Sequence, residues 1–261
     1  ISCSLVGSEM CIRDRLKDVC FSYSNMIALD HINLSIKTGE AIALMGANGC
    51  GKSTLLKLLN GIISPDSGSY WFHGEEVTHK KLQDEKISKL LHQKIGFVFQ
   101  NSDTQLFCSS VYDEVAFGPR QMGLEESEVE HRVNDCLVLL GIQEFRNRIP
   151  YHLSGGEKRK VAIACVLSLN PEVLVLDEPM NGLDPKTQRW LVDFLKKLNK
   201  AGKTLITSTH NLELVHEISN RAVLFGESHT IVADMVTEEL LTDVELLKRV
   251  NLVDLCYQYK V

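Results

Sequence analysis

The residues best suited to chemistry begin with a glycine-rich octapeptide, GANGCGKS, at positions 46–53. It fits the pattern G-x-x-x-x-G-K-[ST], in which glycines let backbone amides curl around a phosphate without side-chain clashes. In that pattern the lysine reaches the β and γ phosphates of a nucleotide, and the final hydroxyl ligates Mg²⁺. Lys52 and Ser53 take these places, which disfavours a chance glycine-rich turn before a helix. The candidate contacts for a nucleotide and Mg²⁺ in this phosphate loop and just after it are Gly46, Asn48, Gly49, Gly51, Lys52, Ser53 and Thr54.

A run of apolar residues, VLVL, leads into the acidic pair Asp177 and Glu178. A buried strand would deliver both carboxylates at its C-terminal end, the edge at which open α/β sheets bind ligands. Asp177 suits the coordination sphere of Mg²⁺, and Glu178 can polarise a water that attacks a γ-phosphate. Strands often end in charged residues, so the acidic pair is informative chiefly because the phosphate loop accompanies it.

The pentapeptide LSGGE at residues 153–157 is a second glycine-containing motif, and a basic KRK and an apolar stretch follow it. Ser154 is predicted to be the N-cap of a helix whose free amides attract anions. A capped helix start without a ligand is the alternative. The position of the pentapeptide shortly before the acidic pair disfavours that alternative, so we predict a second anion-binding element in the same chain.

Hydrophobic periodicity predicts the elements that must hold these groups in place. Alternation predicts half-buried strands, whereas short continuous apolar runs predict strands buried on both faces. Strands are predicted around 19–21 and 32–36 and at 41–45, 173–176 and 204–206, and helices at 54–60, at 129–140 before Gly141 and at 190–198 before Gly202. Strands and helices therefore alternate, which is typical of an α/β layered domain.

The composition limits the possible functions. A chain of 261 residues with 44% hydrophobic content can bury a full core. Its net charge of -6 and pI near 5.9 disfavour a protein that coats nucleic acid. No apolar run approaches the roughly 18 to 20 residues that cross a bilayer, so a membrane role requires a separate membrane-embedded partner. The eight cysteines are scattered without CxxC pairs, as expected of reduced thiols in a cytosolic protein.

Residues 1–15 contain neither an initiator methionine nor the apolar core of a signal peptide. Their string SLVGSEMCIRDR resembles translated sequencing-adaptor read-through. We therefore expect a non-native segment outside the fold, with a genuine N-terminal arm as the alternative.

From Leu16 to about residue 252 the chain resembles the nucleotide-binding subunits of ABC transporters. The motifs of that family occur in order: an adenine-stacking aromatic at Tyr23, Walker A at 46–53, the Q-loop glutamine Gln100, the signature at 153–157, Walker B at 173–178, the D-loop at 181–184 and the switch histidine His210. Singly, Tyr23, Gln100 and His210 would be ordinary strand or surface residues, and the combination disfavours that interpretation.

The resemblance implies an α/β fold: a P-loop NTPase (RecA-like) core with an antiparallel β subdomain and an α-helical signature subdomain. The implied ATPase domain covers 16–225, with the helical subdomain at about 101–168, and residues 226–261 form a C-terminal extension. The segment from Ala222 to Asn251 is expected to contain two short strands and then helical segments through Thr237 to Val250.

The resemblance also implies a composite site. Two subunits, identical or paralogous, would pack head to tail so that each ATP lies between the phosphate loop of one and the signature of the other. Glu178, His210 and Lys52 would serve catalysis, while Ser53, Gln100 and Asp177 would hold Mg²⁺. Further contacts to the nucleotide would come from the aromatic residue, the signature and the D-loop: Tyr23, Ser154, Gly155, Gly156, Glu157 and Asp184.

The segment QNSDTQLFCSSVYDEVAFGP at 100–119 resembles the ATPases of cobalt, nickel and vitamin importers of the energy-coupling-factor group, although Ser102 replaces their usual proline. That resemblance implies integral-membrane transporter subunits as partners, no nucleic acid, and a peripheral location on the cytoplasmic face of the membrane. The alternatives are a soluble ABC ATPase of DNA repair or translation, an exporter ATPase and an inactive relic. Intact Lys52, Glu178 and His210 disfavour the relic.

Overall fold

The computed structural model describes residues 12–253. Its strands are β1 (Ile12–Tyr23), β2 (Met26–Lys37), β3 (Ala41–Met45), β4 (Ser67–Phe72), β5 (Glu75–Glu76), β6 (Ile95–Val98), β7 (Val173–Leu176), β8 (Thr204–Ser208), β9 (Arg221–Phe225) and β10 (Ile231–Val236). Its α-helices are α1 (Lys52–Leu59), α2 (His79–Leu82), α3 (Glu85–Lys94), α4 (Val111–Gln121), α5 (Glu126–Leu140), α6 (Gly155–Leu167), α7 (Pro185–Lys200), α8 (Leu212–Ile218), α9 (Thr237–Thr242) and α10 (Val244–Arg249). The predicted α/β fold class is confirmed.

A six-stranded sheet in the order β10-β9-β3-β8-β7-β6 forms the core. The five strands from β9 to β6 run parallel, and only β10 pairs antiparallel within this sheet. Every residue of β3, β7 and β8 is buried, as the continuous apolar runs predicted for strands covered on both faces. Because parallel strands point the same way, the segments that follow β3, β7 and β8 leave the sheet at one edge.

A second sheet, antiparallel and four-stranded in the order β2-β1-β4-β5, forms the β subdomain. Tyr70 of β4, only 1% exposed, ties this sheet to the helix after the phosphate loop. Its hydroxyl oxygen lies 2.8 Å from the carbonyl oxygen of Leu59 and 2.8 Å from a carboxylate oxygen of Asp14. Burial and the nearby Asp14 carboxylate raise the pKa of Tyr70, so the phenol stays protonated.

The first strand starts earlier than the sequence suggested. The segment 1–15 was expected to lie outside the fold, yet β1 begins at Ile12 and Asp14 and Arg15 pair with both β2 and β4. Asp14 is only 1% exposed. The N-terminal part of β1 thus occupies the centre of the second sheet, a position that alternation in the few residues after Leu16 does not reveal. The expectation for residues 1–11 lies outside the described residues.

Helices α4, α5 and α6 form the helical subdomain. The face predicted for the middle helix is the buried face of α5, and that helix ends at Gly141 in the left-handed conformation, with φ of 63°. Its apolar side chains pack in one cluster with Val115 of α4 and Val161 of α6. The subdomain therefore shares a continuous core with β7 and α7.

The C-terminal region follows the predicted order of two strands and then helical segments. Strand β10 pairs with β9, and side chains of α9 and α10 join one hydrophobic cluster with residues of β3 and β9. Leu240, Leu241 and Leu247 pack against Ala43 and Met45 of β3. Within residues 12–253, the structure contains no helix with the length and apolar character needed to span a membrane.

Gly96 of β6 allows α6 to pack closely on the sheet. A Cβ atom there would lie 2.2 Å from Cγ1 of Val166 and 3.0 Å from Cγ of Pro171. We expect Gly96→Ala to lower the free energy of unfolding by about 1–3 kcal/mol through overpacking, measured by urea denaturation. In the double variant Gly96→Ala/Val166→Ala the loss should be smaller than the sum of the two single losses. Simple additivity would contradict this packing argument.

Candidate functional site

The phosphate loop joins β3 to α1, as the strand–loop–helix context predicted. Gly46, Gly49 and Gly51 have φ of 144°, 87° and 111°, conformations that favour glycine. A Cβ on Gly51 would lie 2.3 Å from the carbonyl oxygen of Ala28. No side chain caps the start of α1, so its first amides remain available to an anion.

Lys52 is folded back into this loop. Its ammonium group donates hydrogen bonds to the carbonyl oxygens of Gly46 at 2.7 Å and Ala47 at 2.9 Å, and the residue is only 5% exposed. A buried ammonium held by neutral carbonyls is a strong local positive charge. Phosphate oxygens entering the loop would therefore meet a cation already fixed in place.

Asp177 stands directly after β7 and is buried. Two hydroxyl groups donate to one of its carboxylate oxygens, Ser53 at 3.0 Å and Ser208 at 2.6 Å. Hydroxyl and carboxylate oxygens are the hard donors that Mg²⁺ prefers. The predicted pair Ser53 and Asp177 thus fits Mg²⁺ both in chemistry and in position.

Glu178 and His210 form the second polar pair. Nδ1 of His210 lies 2.9 Å from Oε1 of Glu178, whose side chain is 10% exposed, whereas the His210 side chain is 50% exposed. Glu178 has φ of 43°, a costly backbone conformation for this residue type. Its backbone N–H donates to the hydroxyl of Ser208 at 2.8 Å, which helps to hold the strained turn.

Lys52, Ser53, Glu178 and His210 line one cleft of about 310 Å³, and Asp177 is hydrogen-bonded to Ser53 beside it. The residues around it are Asn48, Gly49, Gly51, Lys52, Ser53, Thr54, Gln100, Glu178, Asn181 and His210. Gln100 reaches it from the loop after β6, and its own carbonyl accepts a hydrogen bond from Arg159 at 2.6 Å. Backbone amides, a fixed cation, hard oxygen donors and a buried carboxylate beside a histidine suit the polyphosphate of ATP with Mg²⁺.

The other predicted contacts lie away from this lining. Tyr23 is 40% exposed and packs edge-to-face on Phe21, with ring centroids 4.9 Å apart. Asp184, also predicted to contact nucleotide, caps α7: its carboxylate accepts from the backbone of Lys186 and Thr187. Within one chain, a carboxylate so occupied acts as a helix cap.

The signature forms the start of α6, and Ser154 is its N-cap as predicted. Glu157 and Ser154 form a capping box: the Glu157 carboxylate accepts from the Ser154 amide at 2.7 Å. This bond lowers the pKa of Glu157. Ser154 and Gly155 are exposed, and Gly156 leaves room for Thr187, whose Oγ1 would stand 3.0 Å from a Cβ there.

Two residues near the cleft were not identified from the sequence. Ser208 is fully buried and contacts both Asp177 and Glu178, and its only signal was its place two residues before His210. Arg159, 3% exposed, donates at 2.6 Å to the carbonyls of Phe99 and of Gln100. In the sequence it was one of three consecutive basic residues, which ordinarily indicate a solvated surface.

Comparison with known proteins agrees with this geometry. The family described as ABC transporter matches residues 29–181. The nickel import ATP-binding protein LarO of Lactiplantibacillus plantarum is 47% identical over 226 residues, covering 87% of this chain and 94% of that protein.

Two solved structures share the fold. The first, cbiO1 from Clostridium perfringens, is part of the ABC transporter complex cbiONQ; it superposes with a TM-score of 0.80 at 36% identity, covering 92% of this chain and 95% of its own. The second is a dimeric ATP-binding cassette in a post-hydrolysis state with ADP and Pi, with a TM-score of 0.77 at 29% identity, covering 86% and 98%.

Ser208 provides a test of the buried polar cluster. We expect Ser208→Ala to lower kcat for ATP hydrolysis about 10- to 100-fold and to raise the Mg²⁺ concentration required. The Asp177 carboxylate loses a hydrogen bond worth about 1.5–3 kcal/mol, and the Glu178 amide loses its acceptor. Steady-state kinetics at varied Mg²⁺ measures this. Ser219→Ala is the matched control, since Ser219 is also buried but bonds the Val215 carbonyl. Equal kinetics in the two variants would remove Ser208 from the site.

Proposed function

Because this chain belongs to the family of ABC transporter ATPases, we propose that it hydrolyses ATP to drive uptake of a transition-metal ion, cobalt or nickel, or of a vitamin through membrane-embedded partner subunits. The observation that carries the proposal is the convergence of Lys52, Ser53, Glu178 and His210 at one cleft, with Asp177 hydrogen-bonded to Ser53. We assign the protein to the cytoplasmic face of the membrane, as a peripheral subunit.

Each group has a role that its contacts suit. Lys52 and the loop amides bind the β and γ phosphates, while Ser53, Asp177 and Gln100 hold Mg²⁺, which when bound would neutralise phosphate charge. Glu178 accepts the proton of the attacking water, and His210, hydrogen-bonded to it, contacts the γ-phosphate. The strained backbone of Glu178 fixes the carboxylate before the substrate arrives.

The signature acts on a second subunit. Ser154 and Gly155 are exposed and lie outside the cleft lining of their own chain, so their anion-attracting helix start is free to meet a phosphate held by another chain. The dimer of the related cassette with ADP and Pi supports this arrangement. We propose a head-to-tail dimer with an identical or paralogous ATPase, stabilised by ATP at each interface.

The importer assignment rests on the segment after Gln100. Gln105 accepts from the amide of Phe99 at 3.2 Å and donates to the carbonyl of Ala162 at 3.0 Å, so it bridges the end of β6 to α6. Ser102 begins a short 3-10 turn that Asn101 caps, and this turn forms without the usual proline. The nickel import function in the name of a relative supports a metal cargo. An exporter or soluble ABC ATPase remains the alternative function.

An apolar groove of about 250 Å³ lies beside Gln105. Phe107 and Phe117 stand on its rim, 68% and 44% exposed, with ring centroids 5.0 Å apart. Large exposed aromatics in contact with each other commonly mark interfaces. We propose that an apolar segment of the membrane-embedded partner occupies this aromatic groove.

The hydrolytic assignment predicts a separation of binding from turnover. Glu178→Gln should retain ATP binding, lower hydrolysis by roughly 10²- to 10⁴-fold and accumulate an ATP-bound dimer, measured by steady-state kinetics and size-exclusion chromatography. Glu213→Gln, an exposed carboxylate at the start of α8, is the control and should behave as the parent protein. A Glu178→Gln protein that stays monomeric with ATP and hydrolyses normally would refute the assignment.

The aromatic groove predicts loss of the membrane partner on substitution. Phe107→Ser should weaken co-purification with the membrane subunits encoded beside this gene by about 10- to 100-fold, as removal of one buried aromatic of about 1.5–3 kcal/mol requires. Leu139→Ser is the matched control, because Leu139 is 57% exposed on α5. Equal recovery of both variants would exclude this groove, and failure of the parent protein to capture any membrane subunit would favour the soluble alternative.

A further inference from the structure

Strands β1 and β2 carry two consecutive bulges. Between the pairs Val19↔Ile32 and Phe21↔Leu29, one residue of β1, Cys20, stands opposite two residues of β2. Just before this, between Leu16↔Leu34 and Val19↔Ile32, two residues of β1 stand opposite one of β2. Bulges redirect side chains that regular pairing would separate. Here they gather Asp18, Cys20, Asp30 and His31 at one place.

Three of these side chains have the spacing of metal ligands. The Sγ of Cys20, a carboxylate oxygen of Asp30 and a ring nitrogen of His31 all lie within 4.8 Å of one another. Nε2 of His31 is 3.7 Å from Oδ1 of Asp30. A tetrahedral ion with bonds of about 2.0–2.3 Å places its ligand atoms roughly 3.3–3.8 Å apart. Small rotations about the side-chain bonds would therefore complete the site.

The surrounding hydrogen bonds are those that orient metal ligands. Oδ1 of Asp18 lies 2.7 Å from Nδ1 of His31, which leaves Nε2 on the side of Asp30. A histidine ligand usually donates its other ring N–H to a carboxylate in this way. The backbone N–H of His31 donates to Sγ of Cys20 at 3.3 Å, which holds the sulfur beside the histidine. Asn33 fixes the frame by accepting from the Asp18 amide and donating to the His31 carbonyl.

We propose that Cys20, Asp30 and His31 bind a first-row transition-metal ion such as Co²⁺, Ni²⁺ or Zn²⁺, and that Asp18 orients His31. Sulfur and imidazole nitrogen favour these borderline ions over Mg²⁺, which takes oxygen donors. The His31 side chain is 67% exposed, so the ion enters from solvent and water supplies the fourth ligand. The site is separate from the cleft that binds ATP and does not depend on the cargo of the transporter.

The site nevertheless shares a strand with the nucleotide site. Ala28, two residues before Asp30, presents the carbonyl that restricts Gly51 of the phosphate loop. The amide of Asp30 donates to the carbonyl of His229 at 3.0 Å, which ties the same stretch to the turn after β9. Because this stretch of β2 connects the two sites, a metal at the nucleotide site would disturb the titration. The nucleotide site is therefore saturated with Mg²⁺ and ADP before the second metal is added.

The proposal can be tested by titrating the full chain with Co²⁺ in a large excess of Mg²⁺ and ADP and recording the absorbance spectrum. We expect a thiolate-to-cobalt charge-transfer band and visible d–d bands that saturate at one equivalent. Cys20→Ser should abolish the charge-transfer band, and His31→Asn, which tolerates the left-handed φ of 48° at this position, should weaken Co²⁺ binding at least tenfold. Asp18→Asn should weaken it about 10- to 100-fold.

Cys108→Ser is the control for adventitious thiol binding, since Cys108 lies in the helical subdomain region and its thiol pKa is raised to about 11 by burial and the nearby Glu114. This variant should retain the parent spectrum. The proposal is overturned if the parent protein shows no thiolate band or if the band survives Cys20→Ser. Circular dichroism of each variant, compared with the parent, shows whether the fold persists.

Discussion

Parallel pairing of β3, β8 and β7 is the constraint on which the nucleotide site depends. Leu44 pairs with Ser208 in one ladder and Leu176 with Thr207 in the next, so the three strands end almost level. The residues that follow them are the phosphate loop, Asp177 and, two positions after Ser208, His210. The hydrogen-bonded pairing of the strands therefore places the segments that follow β3, β7 and β8 side by side.

That placement gathers polar groups in a buried part of the structure, and the site remains folded because these groups form hydrogen bonds with one another. Asp177, Glu178 and Ser208 are all buried, yet each has a hydrogen-bond partner within the cluster. An unpaired carboxylate at such depth would be strongly destabilising, whereas each hydrogen bond to a charged group returns about 1.5–3 kcal/mol. The hydroxyl of Ser208 also accepts from the Glu178 amide, so this one group stabilises both the buried Asp177 carboxylate and the left-handed backbone of Glu178.

The sequence indicated the strands and motifs well because each has a local cause. Continuous apolar runs predict β3, β7 and β8. Glycines in the sequence predict the phosphate loop and the end of α5, and in the structure these glycines have positive φ. Contacts that depend on tertiary placement were not predictable. Ser208 looks like an ordinary strand-end serine until β7 lies next to it, and Arg159 looks like a surface residue until the segment after β6 covers it. The start of β1 was missed because its partners β2 and β4 are distant in sequence.

The helical subdomain communicates with the cleft through buried bonds to α6. The guanidinium of Arg159 donates to the carbonyls of Phe99 and Gln100, while Gln105 connects the same strand end to Ala162. Burial lowers the pKa of Arg159, the charge of Asp177 opposes that shift, and the side chain stays charged. Breaking these bonds would leave a buried cation unpaired, so the signature helix and the Gln100 segment must move together. If the membrane partner docks in the aromatic groove as proposed, a displacement there would reach both Gln100 and the start of α6 through these bonds.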